Sequence, residues 1–532
     1  MRIDKLHIES FKNLQNFEID LDEQEMKTVL LGQNATGKSN FFEALILIFK
    51  NLDLSTDKKR AYPPFNYKIE YRIGKENNRS INIDYKDRLY SIKVDGDKIK
   101  SFKTFFSEEG KALYQPKYVF TYYSGLSNKL KELFWDHQKN FYDKIIKPDF
   151  KEENLSSLRK LFYVQLVHSY FVLLAYFSFE EEEKESIEFL TKVLNIVDIE
   201  SVLFVLKMPE WAKNRIKDNP DDIFWTADGL VRKFLEILWD NSLAPIYHSY
   251  RKRIDFDDYD PQDRLYLFVK TKACIQKISS LYSSNTEFFK ALESTYISKM
   301  IEEVRIKVKK KDVKEGIIFK ELSEGEQQLL TVLGLLKFTK DEDSLILLDE
   351  PDTHLNPVWK WKYLEYLESV VNRPESTQII INTHDPLVIG NLKKEEVRIF
   401  RNEDGRTVVE EPDIDPRGLG VEGILTSELF GLPTIIDSYT NAKFERRNEL
   451  LLKQQQKKLN DSDKKELNNL FKELDELGIS KTFRDPMYQK FIVAFKERNK
   501  IPIKDAYSKE ELEEQNKLAL EILNEIEKEE TE

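Results

Sequence analysis

Eight residues, Gly32-Gln33-Asn34-Ala35-Thr36-Gly37-Lys38-Ser39, restrict this chain to a small set of folds. They fit G-x-x-x-x-G-K-[ST] in full. The apolar run Thr28-Val29-Leu30-Leu31 in front of them reads as a buried strand, and Phe41, Phe42, Leu45, Ile46, Ile48 and Phe49 follow at helical spacing. Strand, glycine loop and helix in that order gather backbone N–H groups and a helix N-terminus around an anion. By accident the pattern arises in roughly one chain of this size in fifty, and its position between strand and helix makes accident rarer still. The predicted ligand is ATP, lined by Gly32 through Ser39 and by Asn40. Lys38 neutralises the β- and γ-phosphates and Ser39 offers its hydroxyl to Mg²⁺.

Two further segments extend this chemistry. Leu345-Ile346-Leu347-Leu348-Asp349-Glu350 is a buried strand ending in two acids. Asp349 is expected in the Mg²⁺ shell and Glu350 as the group that polarises the attacking water. Before it, Leu322-Ser323-Glu324-Gly325-Glu326-Gln327 opens a helix whose apolar positions include Leu329, Leu330 and Leu333. Ser323 followed three residues later by Glu326 satisfies a capping box. The cap is compatible with a second use, because a helix tip carrying Ser and Gly can approach a γ-phosphate across an interface.

The order of these motifs resembles the ABC ATPase superfamily, in which Ser323, Glu324, Gly325 and Glu326 would form the signature that acts in trans. The resemblance implies a D-loop at Pro351 to Pro357, with Asp352 and His354, and a γ-phosphate-sensing histidine at His384, after the strand Gln378-Ile379-Ile380-Ile381-Asn382. It implies catalytic roles for Glu350 and His384. The glutamine that the family carries after the strand Tyr118-Val119-Phe120 is not evident, since Gln115 precedes it; Tyr122 and Tyr123 read equally as core or as nucleotide sensors.

Phe11-Lys12-Asn13-Leu14 and Asn40-Phe41-Phe42-Glu43-Ala44 are similar to the SMC-like branch, which includes RecF- and OLD-type proteins. The segment Gly420 to Pro433 and the later Phe483-Arg484-Asp485-Pro486-Met487-Tyr488 resemble the PtuA-like ATPase subunit of Septu and retron-associated antiphage systems. That resemblance implies a head-to-head dimer, a higher homo-oligomer, a separate HNH nuclease subunit, and nucleic acid reached through the complex. The alternative is a RecF-like DNA-repair ATPase that acts without a dedicated nuclease. A fused TOPRIM nuclease would need a Glu and an Asp-x-Asp on strand ends; Asp413-Ile414-Asp415 lies in a Pro-flanked loop and reads as a turn.

The fold class expected is α/β, an ABC-type head of mixed sheet and antiparallel β-subdomain with a large helical insertion and a helical C-terminal extension. The expected divisions are 1–129 with the glycine loop and β-subdomain, 130–300 as a compact helical bundle, 301–435 with the remaining nucleotide motifs, and 436–532 for oligomer or partner contacts. In 532 residues there is one cysteine, Cys274, which excludes an internal disulfide and a Cys-based zinc site and reads as buried filler. The net charge of −12 argues against a nucleic-acid-coated surface while leaving room for a local basic groove. Without an apolar run long enough for a bilayer or a signal-type N-terminus, the expected location is cytoplasmic, with no membrane partner.

Overall fold

The computed structural model describes the chain except residues 22–24, 75–78, 100, 126, 146, 148–158, 217–218, 220, 312, 339–342, 372–375, 477–490, 492–493, 496–497, 503–506 and 532. The segment Phe483 to Tyr488 therefore lies outside the described residues. The chain divides into two compact units, one of residues 1–388 with 395–411 and one of 389–394 with 412–532.

Among the described residues the first unit is built on three sheets. Its central sheet has seven strands in the order β18 (Arg406–Glu410), β17 (Val397–Glu403), β3 (Lys27–Gly32), β16 (Thr377–Asn382), β15 (Ser344–Asp349), β8 (Tyr118–Tyr123) and β9 (Leu161–Tyr163). All neighbours run parallel except β17 with β18. Buried on both faces, β15 and β16 have no exposed position, which is why they read as unbroken aliphatic runs. Parallel registry has a functional consequence. Asp349 pairs with Asn382 on one side and Tyr123 on the other, so the ends of three strands share the carboxyl edge to which β3 delivers Gly32.

The second sheet is antiparallel, ordered β2 (Leu14–Asp20), β1 (Arg2–Phe11), β4 (Tyr67–Ile73), β5 (Arg79–Lys86), β6 (Leu89–Val94) and β7 (Asp97–Lys98). Strict alternation of buried and exposed residues along β4 gives it one core face and one wet face. Between the two sheets runs the helix Lys38–Leu54, whose Phe41, Phe42, Leu45, Ile46 and Leu52 share one apolar cluster with Ile3, Tyr71, Leu347 and Ile380. The glycine loop is thereby anchored by a helix enclosed on nearly every side.

The insertion is not the expected helical bundle. It does contain helices, among them Val167–Ser178, Lys184–Leu194, Gly229–Asp240 and Asn285–Ile297. It also supplies most of a third sheet, ordered β11 (Ile246–Arg253), β12 (Tyr259–Val269), β10 (Ile196–Lys207), β13 (Ile301–Lys310) and β14 (Ile317–Ile318). Val202, Phe204 and Leu206 alternate inward, as do Leu265, Leu267 and Val269. That period of two is hidden in sequence by the intervening Leu203, Val205, Tyr266 and Phe268, which make the segments uniformly apolar. Because β10 pairs with β13 from Ile196–Lys310 to Leu206–Ile301, a boundary at 300/301 would cut a sheet. Cys274 is half-buried in the first turn of the helix Lys272–Ser279, where it accepts a hydrogen bond from Thr271 Oγ1 at 3.3 Å, and is not core filler.

Apart from 389–394, the second unit runs from 412. The helices Ser438–Gln455 and Asp461–Glu476 close on Leu450, Leu467 and Leu470. Gly431 takes φ +67°, and a Cβ there would stand 2.7 Å from the carbonyl oxygen of Tyr507, so the Gly420 to Pro433 segment is tied to the approach of the last helix, Lys509–Thr531. Asp413 and Asp415 do sit in a loop. Their neighbours are structural: the Asp413 N–H donates to Glu428, and Asp415 Oδ1 accepts from the Lys394 N–H. Among the described residues no helix is long and apolar enough to cross a membrane.

Candidate functional site

The glycine loop is shaped by sterics at its two glycines. At Gly32, φ is +138° and a Cβ would meet the Phe400 carbonyl oxygen at 2.3 Å. Gly37 takes φ +104° and Ala35 φ +66°, which turns the loop back on itself before the helix begins. No side chain caps that helix, so its first N–H groups stay available to a ligand. Lys38 Nζ donates to the carbonyl oxygens of Gly32 at 2.6 Å and Gln33 at 2.9 Å. Burial pushes its ammonium down to about 8, against the opposing pull of Asp349 and Glu350. A desolvated cation held by carbonyls is prepared for an anion.

Asn13 and Thr407, which the sequence did not single out for the site, brace the loop from outside together with Asn40. Asn13 Nδ2 donates to the Ala35 carbonyl at 3.1 Å, Asn40 Nδ2 donates to Asn13 Oδ1 at 2.6 Å, and Thr407 Oγ1 donates to the Thr36 carbonyl at 2.9 Å. Asn40 Oδ1 takes a bond from Lys129 at 2.9 Å. Asn13 stood inside the Phe11 to Leu14 segment; Thr407 carried no signal at all.

Two adjacent acids end β15 in opposite surroundings. Asp349 is 1% exposed; burial raises its pKa, its Oδ1 accepts from Asn382 Nδ2, and the Ser39 hydroxyl lies beside it. Its Oδ2 is buried without a protein partner. Glu350 then takes φ +52°, with its N–H on the Asn382 carbonyl at 2.8 Å, and turns a side chain that is 40% exposed toward His384, whose Nε2 stands 3.7 Å from Oε1. Burial, with help from Lys38, pushes the His384 imidazole down to about 4, so at neutral pH the contact is a polar one and not an ion pair.

The residues present fit Mg²⁺. The Ser39 hydroxyl and the orphaned Asp349 Oδ2 are hard oxygen donors, and no group of three or more His, Cys, Asp or Glu among the described residues forms a dedicated cage. A cation that keeps its waters and takes phosphate oxygens needs no more than this from the protein.

The helix tip at Ser323 is capped within its own segment. Ser323 N–H donates to Glu326 Oε2 at 2.9 Å and Glu326 N–H returns to Ser323 Oγ at 3.3 Å, the reciprocal cap. Although burial works upward on Glu326, bonds from Lys310 and Ser323 hold its carboxylate below the usual range. The tip packs on the loop after β15. His354 Nδ1 is 3.2 Å from Glu324 Oε2, and the His354 N–H donates to Gln328 Oε1 at 3.2 Å. Asp352, by contrast, is buried within its own chain, accepting from Thr383 Oγ1 at 3.0 Å, with burial pushing it up to about 6. No hydrogen bond or ion pair among the described residues joins Ser323–Glu326 to the loop 32–40.

Gly325 sets how closely these two segments meet, since a Cβ on it would lie 2.6 Å from the His354 carbonyl oxygen. Overpacking of backbone costs about 1–3 kcal/mol. Gly325→Ala is expected to lower the thermal midpoint and loosen the 351–357 loop, read by calorimetry and by faster amide exchange at His354; an unchanged midpoint and exchange rate would contradict the contact. Where the family carries its glutamine, the chain presents Ser124, whose N–H donates to the Asp349 carbonyl at 3.2 Å and whose hydroxyl lies 3.0 Å from Thr353 Oγ1. Gln115 is buried, 3.4 Å from the Leu52 carbonyl, and remote in role from this edge.

A glycine loop, two strand-end acids and a neutral histidine at the carboxyl edge of one parallel sheet are the working parts of a P-loop ATPase of the ABC type. The chain belongs to the family described as AAA domain, putative AbiEii toxin, Type IV TA system, which it matches over residues 27–390. Among curated proteins it is 28% identical over 173 residues to the Septu protein PtuA of Bacillus mycoides, covering 29% of this chain and 23% of that one. It is 29% identical over 108 residues to the retron Vc95 probable ATPase of Vibrio cholerae, covering 18% of this chain and 20% of that one. The matches thus span less than a quarter of either relative. Among solved structures, the SMC head domain from Thermotoga maritima aligns at 12% identity and a TM-score of 0.32, covering 78% of this chain and 100% of that one.

Proposed function

We propose that two copies of this chain close head to head on ATP and hydrolyse it, and that this cycle governs a separate nuclease of HNH type in an antiphage complex. The observation that carries the first part is that no hydrogen bond or ion pair among the described residues joins the Ser323 tip to the glycine loop of its own chain. Both are anion-directed, and a second copy brings them together. In that arrangement Lys38 and the loop N–H groups hold the β- and γ-phosphates, with Ser39 and Asp349 as the Mg²⁺ site; the cation supplies charge neutralisation on the phosphates when bound. Glu350 accepts a proton from the attacking water at its exposed carboxylate, and neutral His384 hydrogen-bonds the γ-phosphate without adding a fixed charge. Ser323 and the first N–H groups of its helix reach the same phosphate from the opposite protomer.

The antiphage assignment rests on the likeness to the Septu protein PtuA and the retron Vc95 probable ATPase, which covers parts of each chain. The chain itself is proposed to cut no nucleic acid, because Asp413 and Asp415 are engaged in loop contacts and not presented on strand ends. Affinity purification of the tagged chain from its native operon should bring down a nuclease subunit, and deletion of that subunit's gene should abolish phage protection without changing ATP hydrolysis. Cleavage of DNA by the purified chain alone, or full protection without any associated subunit, would overturn the assignment.

A further inference from the structure

The sheet of the insertion has one face that the nucleotide chemistry does not use. Strand alternation and register sort its residues, with the exception of Val205, which is buried although it lies on the open side between Tyr266 and Glu303. Val202, Phe204, Leu206, Leu265, Leu267, Val304, Ile306 and their neighbours face the core and are buried. On the other face the pairs Ile246–Tyr266, His248–Arg264 and Tyr250–Gln262 join β11 to β12, Phe268 joins Leu203 of β10, and Leu203 and Ser201 join Arg305 and Lys307 of β13. Antiparallel sheets can leave such a face wet, but a wet face is ordinarily polar. Here Tyr250 is 39% exposed, Phe268 36% and Ile246 59%.

Charge distinguishes this face from a plain apolar patch. The edge strand Ile246–Arg253 carries no acid, in a chain with 95 acids and 83 Lys and Arg, and its His248 alternates onto the same face as Tyr250. The Arg264 guanidinium lies 4.3 Å from the centre of the Tyr250 ring, a cation–π contact on this face. Across the sheet, exposed Arg305 and Lys307 meet Glu303 at 2.7 Å and Glu200 at 2.9 Å, surface pairs that exchange partners at little cost. Cations flanking exposed rings on a sheet match a polyanion whose bases can lie open on those rings. A duplex hides its base faces from such rings.

We propose that this face, from β11 across to β13, binds single-stranded nucleic acid, with Tyr250 and Phe268 stacking on bases and Arg305 and Lys307 on phosphates. The strands are about 4.8 Å apart, so the platform is about 14 Å wide, enough for a single strand to cross it obliquely. The proposal goes beyond the ATPase reading and stands without it.

The test is fluorescence anisotropy of a labelled oligothymidylate of about 20 nucleotides with the full chain, without nucleotide, at rising salt. The native chain should bind at low salt. Tyr250→Ala and Phe268→Ala should each weaken binding about tenfold, with Tyr250→Phe retaining it. The double change Arg305→Glu with Lys307→Glu should weaken binding and flatten its salt dependence by about 1.4 in log–log slope. Phosphate release by these variants should stay at the native rate, which separates this site from the nucleotide site. No binding by the native chain at low salt, or equal affinity in Tyr250→Ala and Phe268→Ala, overturns the proposal. So does a result in which those changes alter only the oligomeric state by light scattering, which assigns the face to a protein contact.

Discussion

Glu350→Gln will bind ATP as the native chain does and release phosphate at least about a hundredfold more slowly, the lower bound for losing a positioned general base. The reason lies in the divergence of two neighbouring acids. Asp349 is enclosed, bonded to Asn382 and next to Ser39, whereas the positive φ of Glu350 swings the following carboxylate into the open beside His384. Gln has nearly the same shape and tolerates the same backbone, so the strand end and its bond to the Asn382 carbonyl survive the change. What disappears is the proton acceptor. His384 does not replace it, because burial has made it a weak base with a pKa of about 4. Steady-state phosphate release together with equilibrium binding of a fluorescent ATP analogue separates the two effects. Native turnover in Glu350→Gln would remove this residue from the reaction.

The same pair of acids marks how far sequence reached. Apolar runs ending in Asp349 and Asn382 were legible because strands buried on both faces admit little but aliphatic residues, and the edge they share follows from parallel pairing. The glycine loop was legible for a steric reason, as Gly32 has Phe400 against it and Gly37 a conformation closed to most side chains. What was not legible is whatever depends on contact between distant segments. Thr407 holds the loop from a strand that follows it by hundreds of residues, and Asn13 holds it from a turn before it. Neither sits at a telling spacing. The strands β10 and β12 were missed for a different reason: residues on their outer face are themselves apolar, so the alternation that announces a strand was filled in. That departure from a polar outer face is the observation behind the nucleic-acid proposal, so the misreading and the inference have one cause.

Ser323→Arg and Lys38→Ala should each be inactive alone and regain about a quarter of native activity when mixed in equal amounts. In Ser323→Arg the glycine loop, Asp349 and His384 are untouched, so ATP binding persists, while a bulky cation occupies the helix tip that must meet the partner's phosphate. In Lys38→Ala the tip is intact but the desolvated ammonium that draws the triphosphate is gone. Random pairing makes half the dimers mixed. Each mixed dimer holds one site with both defects and one with neither, since the sound loop of the Ser323→Arg copy faces the sound tip of the Lys38→Ala copy. The capping box bears on the choice of substitution: Ser323 Oγ also receives the Glu326 N–H, so part of any loss in Ser323→Ala would come from fraying the helix. Arginine tests the approach of the tip directly, and the melting temperature of each variant measures the fraying separately. A mixture no more active than its parts would mean that loop and tip never meet across an interface, and the two-copy mechanism would fall with it.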